Sequence, residues 1–279
     1  MGRRIAYVVL PTYDWSELGE KSVVDTLVAC NLLPSQLASY GRQQDVAAFR
    51  SALEGLGFEV VCDAARVDRA SFKKRLGELS AACEGPDDVL ALVFSGHGQP
   101  ELLTRHASLV FSDNKALSSY SLDRLLAPVA QRASVYTVLS CCTATGVPMA
   151  LPVGSALSSV SGQAAVDIAE AGGVEQSMAG QRRVEVFSTS HVEVQKAAKG
   201  GTLFARALAG VLARGEAPRL EALEEGLAAQ MRAGGSADEV PTTVKVLRYG
   251  FVGPAFGPIQ EETKVRPPNR LTNRSLLFD

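Results

Sequence analysis

A histidine and a cysteine that each follow an apolar run are the residues in this chain best suited to covalent chemistry. Phe94-Ser95-Gly96-His97-Gly98 closes the run Val89-Leu90-Ala91-Leu92-Val93-Phe94, and Ser140-Cys141-Cys142-Thr143 closes the run Val135-Tyr136-Thr137-Val138-Leu139. A thiol is a poor nucleophile until it loses its proton, and a neighbouring imidazole either takes that proton or holds the thiolate as an ion pair. Attack on a peptide carbonyl then creates an oxyanion that backbone N–H groups stabilise. Gly98 leaves its N–H unobstructed, so Gly98 and Cys142 are the candidate oxyanion donors, and His97 would protonate the leaving amine. Taken singly, a histidine past a strand or a buried cysteine is commonly structural. The order His then Cys at two strand ends, separated by one helix, is what points to chemistry.

Both apolar runs are short, partly β-branched and bounded by small residues, the pattern of buried strands in a parallel sheet. Ligands of such sheets lie beyond the carboxyl ends of the strands, which is where both motifs fall. Four other runs also read as strands: Ile5–Leu10, Phe58–Cys62, Val184–Thr189 and Thr243–Leu247. Helices alternate with them. One is headed by Asp45, carries Val46, Phe49, Leu53 and Leu56 at helical spacing, and ends at Gly57. A second places Phe72, Leu76, Leu79 and Cys83 on one face and stops at Gly85-Pro86. A third is capped by Ser121 and carries Asp123 in its first turn, where the helix dipole favours an acid. Two more run from Leu203 to Leu212 and from Leu220 to Met231.

The connections are less regular. Pro11–Ser39 has an apolar patch around Val23–Leu33, and Leu109-Val110-Phe111 suggests a small hairpin. Residues 146–183, rich in Ala, Gly, Ser and Val, read as a functional loop with helical character near Ala164–Ala171. From Pro254 the chain reads as an irregular tail, so the expected division is one domain over 1–253 and a tail over 254–279. Strands alternating with helices give an α/β sandwich with a mostly parallel sheet.

Composition removes several functional classes. The chain has 279 residues, 46% of them hydrophobic, and a net charge of −2. It is long enough for a full core, has no charge excess for nucleic acid or an anionic membrane, and has no run of membrane-spanning length. The N-terminus lacks the apolar region and cleavage site of a secretory signal. The five cysteines, Cys30, Cys62, Cys83, Cys141 and Cys142, are odd in number and fit neither a disulfide framework nor a zinc pattern, which suits a reducing cytoplasm. No carboxylate pair has the spacing of a calcium loop, so no metal is implied.

The order strand, Ser-Gly-His-Gly, helix, strand, Cys resembles the caspase-like cysteine peptidases, the clan that includes caspases, metacaspases, paracaspases and CHAT-type peptidases. Phe94–Gly98 matches that family's His motif and Leu139–Ala144 its Cys motif; on that alignment Cys142 is the nucleophile and Cys141 its strand-end neighbour. Asp45–Val60, Phe187-Ser188-Thr189-Ser190, Gln195-Lys196-Ala197 and Gly201-Thr202-Leu203-Phe204 also resemble family segments, so the likeness covers roughly Arg4 to Gly250. It implies a six-stranded sheet flanked by helices, cleavage of a protein or peptide after a charged residue, and no cofactor for the chemistry, although some metacaspases need calcium.

The chain departs from the family at the specificity pocket. Metacaspases carry an acid two residues before the catalytic Cys that helps bind a basic P1 side chain; Ser140 stands there. Asp14, after the first strand, is the replacement acid on offer, or an ordinary solvated loop residue. Caspases use arginines for an acidic P1, and none is evident, Arg3 and Arg4 reading as surface charges. The balance leans to a basic P1, with Ser188 a further substrate-binding candidate. Arg182 and Arg183 are candidate autoprocessing sites, or equally a surface charge pair. His106 and His191 read as structural or solvated, His191 being able to line the pocket because family loops after the fifth strand do so.

Small prokaryotic caspase-like domains resemble components of stress or antiphage systems that a protein partner switches on, which makes an activating partner a further expectation by analogy. The competing function is a catalytically silent caspase-like module that binds without cutting, and the intact His and Cys argue against it. An α/β nucleotide-binding domain is weaker still, because no glycine-rich phosphate loop follows the first strand.

Overall fold

The computed structural model describes residues 2–13, 42–96, 98–100, 107–113, 115–141, 181–188, 202–213, 217–234, 244–247 and 251–261. Strands β1 (Arg4–Val9), β2 (Glu59–Asp63), β3 (Val89–Ser95), β7 (Ser134–Ser140), β8 (Arg183–Phe187) and β9 (Lys245–Leu247) form a six-stranded sheet in the order β2-β1-β3-β7-β8-β9. All pairings are parallel except β8 with β9. Three shorter strands, β4 (Gly98–Pro100), β5 (Ala107–Val110) and β6 (Ala116–Ser118), make a separate antiparallel sheet, and β10 (Phe251–Val252) pairs with β11 (Gln260–Glu261). The expected mixed α/β sandwich, with its mostly parallel six-stranded sheet, is the fold observed.

Every residue of β3 and of β7 is buried, as central parallel strands covered on both faces require. Alternation sorts their side chains between two cores. Val89, Ala91 and Val93 join Tyr136 and Val138 on the face covered by helices α1 (Arg42–Gly55), α4 (Leu203–Leu212) and α5 (Leu223–Gly234). Leu90, Leu92 and Phe94 join Val135 and Leu139 on the face covered by α2 (Arg69–Ala81), α3 (Ser119–Ala130) and the small sheet.

Helix ends follow local chemistry, with two departures from expectation. Asp68 caps α2 by accepting from the Ser71 N–H, and Thr202 caps α4 by accepting from the Ala205 N–H. The cap of α3 is Ser118 and not Ser121: the Ser118 side chain accepts from the Ser121 N–H, so the helix begins one turn earlier. Asp123 therefore lies beyond the first turn, and its position has another cause, given below. The expected patches at Val23–Leu33 and Ala164–Ala171 lie outside the described residues.

The segment from Pro254 is not an irregular tail over its first eight residues. Ala255, Phe256 and Ile259 are buried in the core. The Ala255 N–H donates to the Pro218 carbonyl at 2.7 Å, the Ile259 N–H to Ser134 Oγ at 2.8 Å, and Tyr136 Oη to the Gly257 carbonyl at 2.9 Å. The Phe256 ring stacks on Tyr136. The folded unit thus extends through Glu261, past the boundary expected at 253.

Candidate active site

β3 and β7 lie side by side, parallel, with Ser95 opposite Ser140 in the register. The Gly96 N–H donates to the Ser140 carbonyl at 3.1 Å, which carries the pairing one residue past β3. The two strands therefore reach the same edge of the sheet at the same level, with backbones about 4.8 Å apart. His97 follows Gly96, and Cys142 follows the buried Cys141. His97 and Cys142 themselves lie outside the described residues, as do Asp14, His106 and His191.

Gly96 is a glycine for a steric reason. A Cβ there would lie 2.6 Å from the Tyr13 hydroxyl oxygen, closer than real Cβ atoms approach, and 3.1 Å from the Phe94 ring, which is already tight. Tyr13 Oη donates to the Val110 carbonyl of β5 at 2.8 Å. Gly98 is buried in β4, opposite Leu109 of β5. The small sheet is seated on the main sheet by aromatic contacts: Phe111, just past β5, packs on Phe72 at 4.8 Å and edge-on to Phe94 at 5.6 Å.

Of the other candidates, Ser140 is the last residue of β7 and is buried, and Ser188 is buried just past β8 with its N–H donating to the Leu139 carbonyl at 3.1 Å. The carboxyl ends of β3, β7 and β8 thus bring Gly96, Ser140, Cys141 and Ser188 to one rim. A 480 Å³ cavity lined by Cys62, Asp63, Arg66, Ser71, Lys74 and Arg75 lies at the carboxyl end of the edge strand β2, two strands across the sheet from β3.

Arg182 and Arg183 have to be corrected. Arg183 is neither a loop residue nor a surface charge: it is the first residue of β8, fully buried, with its guanidinium paired to Asp123 and, at 2.8 Å, to Glu185. The Arg182 N–H donates to the Ala130 carbonyl at 2.7 Å, and the Arg182 carbonyl accepts from the Val135 N–H at 2.8 Å. A peptidase takes its substrate as an accessible extended strand; the peptide groups flanking Arg182 are already held by α3 and β7, and Arg183 lies within β8, so cleavage after either would have to open the pairing of β8 with β7.

Sequence reading also missed residues. Tyr13 escaped because its partners, Gly96 and Val110, are far away in the chain. The partnership of Asp123 with Arg183 left one signal, a pair of charges at alternate positions, Arg183 and Glu185, in an otherwise apolar strand. Among the described thiols, burial pushes Cys83 up to about 11 and also raises Cys62, so both are poor nucleophiles at neutral pH. Among the described residues, no helix is long and apolar enough to cross a membrane, and no group of three His, Cys, Asp or Glu side chains is arranged to hold a metal.

Comparison with known proteins agrees with this fold. A family model described as the caspase domain matches residues 33–245. No curated protein matches the chain. Among solved structures, a protein of Geobacter sulfurreducens aligns with a TM-score of 0.55 and 14% identity, over 93% of this chain and 97% of its own. The Drosophila initiator caspase Dronc aligns at 0.54 and 11% identity, over 92% and 81%. Caspase-1 of Spodoptera frugiperda aligns at 0.53 and 10% identity, over 88% and 86%. At these identities the structural likeness speaks for the fold alone.

Proposed function

The chain belongs to the caspase family, and from that premise we propose that it is a cysteine endopeptidase whose catalytic pair is His97 and Cys142. At the level of the family, its activity is that of a cysteine peptidase and its substrates are proteins. The observation that carries the finer reading is the register of β3 and β7. Ser95 and Ser140 are partners, and His97 and Cys142 each follow their serine by two positions.

In this mechanism His97 takes the proton of the Cys142 thiol, and the thiolate attacks the carbonyl carbon of the scissile peptide. The oxyanion is held by the N–H groups of Gly98 and Cys142. His97 gives its proton to the departing amine, leaving a thioester on Cys142. Water, deprotonated by His97, hydrolyses the thioester and restores the thiol. The P1 side chain is charged and more readily basic, with Asp14 as its countercharge and Ser140 and Ser188 lining its site. Autoprocessing falls upstream of Gln181, since β8 is held in the sheet. A cytoplasmic setting suits the cysteine usage, and activation by a protein partner in a prokaryotic stress or antiphage system extends the reading by family analogy.

The test uses fluorogenic peptides bearing Arg, Lys, Asp or Leu at P1, together with a peptide chloromethyl ketone and site-resolved mass spectrometry. Labelling of Cys142 that His97→Ala abolishes is the expected result. Labelling that is indifferent to His97→Ala, or turnover that survives Cys142→Ala, overturns the dyad; the lack of both labelling and turnover leaves a binding module as the better account.

A further inference from the structure

The residues on either side of His97 are both fixed, and one side chain links them. Gly96 is fixed by its bond to the Ser140 carbonyl, Gly98 by its place opposite Leu109 in the small sheet. Tyr13 reaches both. Its hydroxyl lies against Gly96, close enough to exclude a Cβ, and donates to the carbonyl of Val110, the residue after the partner of Gly98. Tyr13 is itself held from behind, because the Leu10 N–H donates to the Asp63 carbonyl at 2.9 Å and the Thr12 N–H to the Ala65 carbonyl at 3.0 Å. The half-buried phenol therefore spans the junction between the two sheets, between Gly96 at the end of β3 and Val110 of β5.

We propose that Tyr13 is a positioning residue for His97. It fixes the turn between β3 and β4, and through that turn the distance from imidazole to thiol. The inference rests on the dyad proposed above. An imidazole held at hydrogen-bond distance from a thiol stabilises the thiolate and lowers the thiol pKa; one displaced by even an ångström does so poorly, and catalysis falls steeply with such misplacement. Loss of the Tyr13 hydroxyl frees one side of the turn while leaving the ring in place. Its signature is a lower kcat at nearly constant KM, and a Cys142 thiol that titrates closer to an ordinary cysteine.

The experiment compares wild type, Tyr13→Phe and His97→Ala, following iodoacetamide alkylation of Cys142 by site-resolved mass spectrometry from pH 5 to 9, with thermal unfolding alongside. Wild type should alkylate with a depressed midpoint, and His97→Ala with the midpoint of a free thiol, near 8.5. Tyr13→Phe should fall between them, with alkylation at pH 6 slowed about ten-fold and rates converging at pH 9. A Tyr13→Phe profile that superimposes on wild type while His97→Ala is shifted overturns the positioning role, whatever happens to the melting temperature. A His97→Ala profile identical to wild type overturns the dyad itself, and the Tyr13 proposal falls with it.

Discussion

The β7–β8 pair treats polar groups in opposite ways at its two ends. At the carboxyl rim the buried polar residues are small and neutral: Ser95, Ser140 and Ser188, next to the thiol of Cys141. Toward the amino end of β8, three full charges are buried together beneath α3. Arg183 and Glu185 are 0% exposed and Asp123 is 1% exposed. Buried charges survive only when paired, and here two carboxylates share one guanidinium. The charged end is architecture, a clasp that ties the first turns of α3 to the strand that follows residues 142–180. A charge in this fold is therefore no guide to function by itself; what matters is which end of the strands carries it.

The comparison is easiest to break at the clasp. Arg183→Ala would remove the guanidinium that both buried carboxylates face, and the expected loss is about 3–5 kcal/mol in urea unfolding. Replacing the set together, with Asp123→Leu, Arg183→Met and Glu185→Leu, should cost less than the single change, because no charge is left alone. A urea midpoint for Arg183→Ala equal to wild type would mean that the clasp carries no weight and that the two ends do not differ as described.

At the rim, the sharpest change is Gly96→Ala. The new Cβ collides with the Tyr13 hydroxyl and crowds the Phe94 ring. Tight packing of this sort costs about 1–3 kcal/mol. Turnover should fall by more than the stability loss explains, because the displaced group is Tyr13. Ser140→Ala, by contrast, removes one neutral hydroxyl and should cost about 1 kcal/mol. If Ser140→Ala proves as damaging to unfolding as Arg183→Ala, the rim is architectural too.

These differences follow what was legible in the sequence. β3 and β7 were visible because strands buried on both faces must be apolar throughout, and their ends located the rim. α2 and α4 were visible from apolar spacing. The cap of α3 was misplaced by one turn because Ser118 and Ser121 are equally good caps in isolation, and only the pairing of β6 with β5 decides between them. Arg183 looked like a surface residue because its partner Asp123 is 60 residues away. Pro254–Glu261 looked like a tail because prolines and glycines mask the few residues, Phe256 and Ile259 above all, that bury it. Local pattern reveals elements; contacts between distant segments decide which polar groups are inside.

A fourth buried charge, outside the β7–β8 pair at the start of α1, yields the smallest predicted effect. Asp45, 1% exposed in the first turn of α1, accepts from the Thr202 N–H at 2.6 Å and so holds the start of α4. Burial raises its pKa, while the bonds from Thr202 and the charge of Arg206 oppose the rise without cancelling it. The folded state therefore holds this proton more tightly than the unfolded chain. Between the unfolded value, about 3.9, and the raised folded one, stability declines as pH increases, and above that window the ionised carboxylate remains a net cost. Asp45→Asn keeps an oxygen acceptor for Thr202 and cannot ionise, so it should lie within about 1 kcal/mol of wild type. The difference in unfolding free energy, wild type minus Asp45→Asn, should fall as pH rises from 3.5 to 7. A difference that rises with pH would mean that the Thr202 bonds and Arg206 outweigh burial, which would make Asp45 a stabilising charge like Arg183.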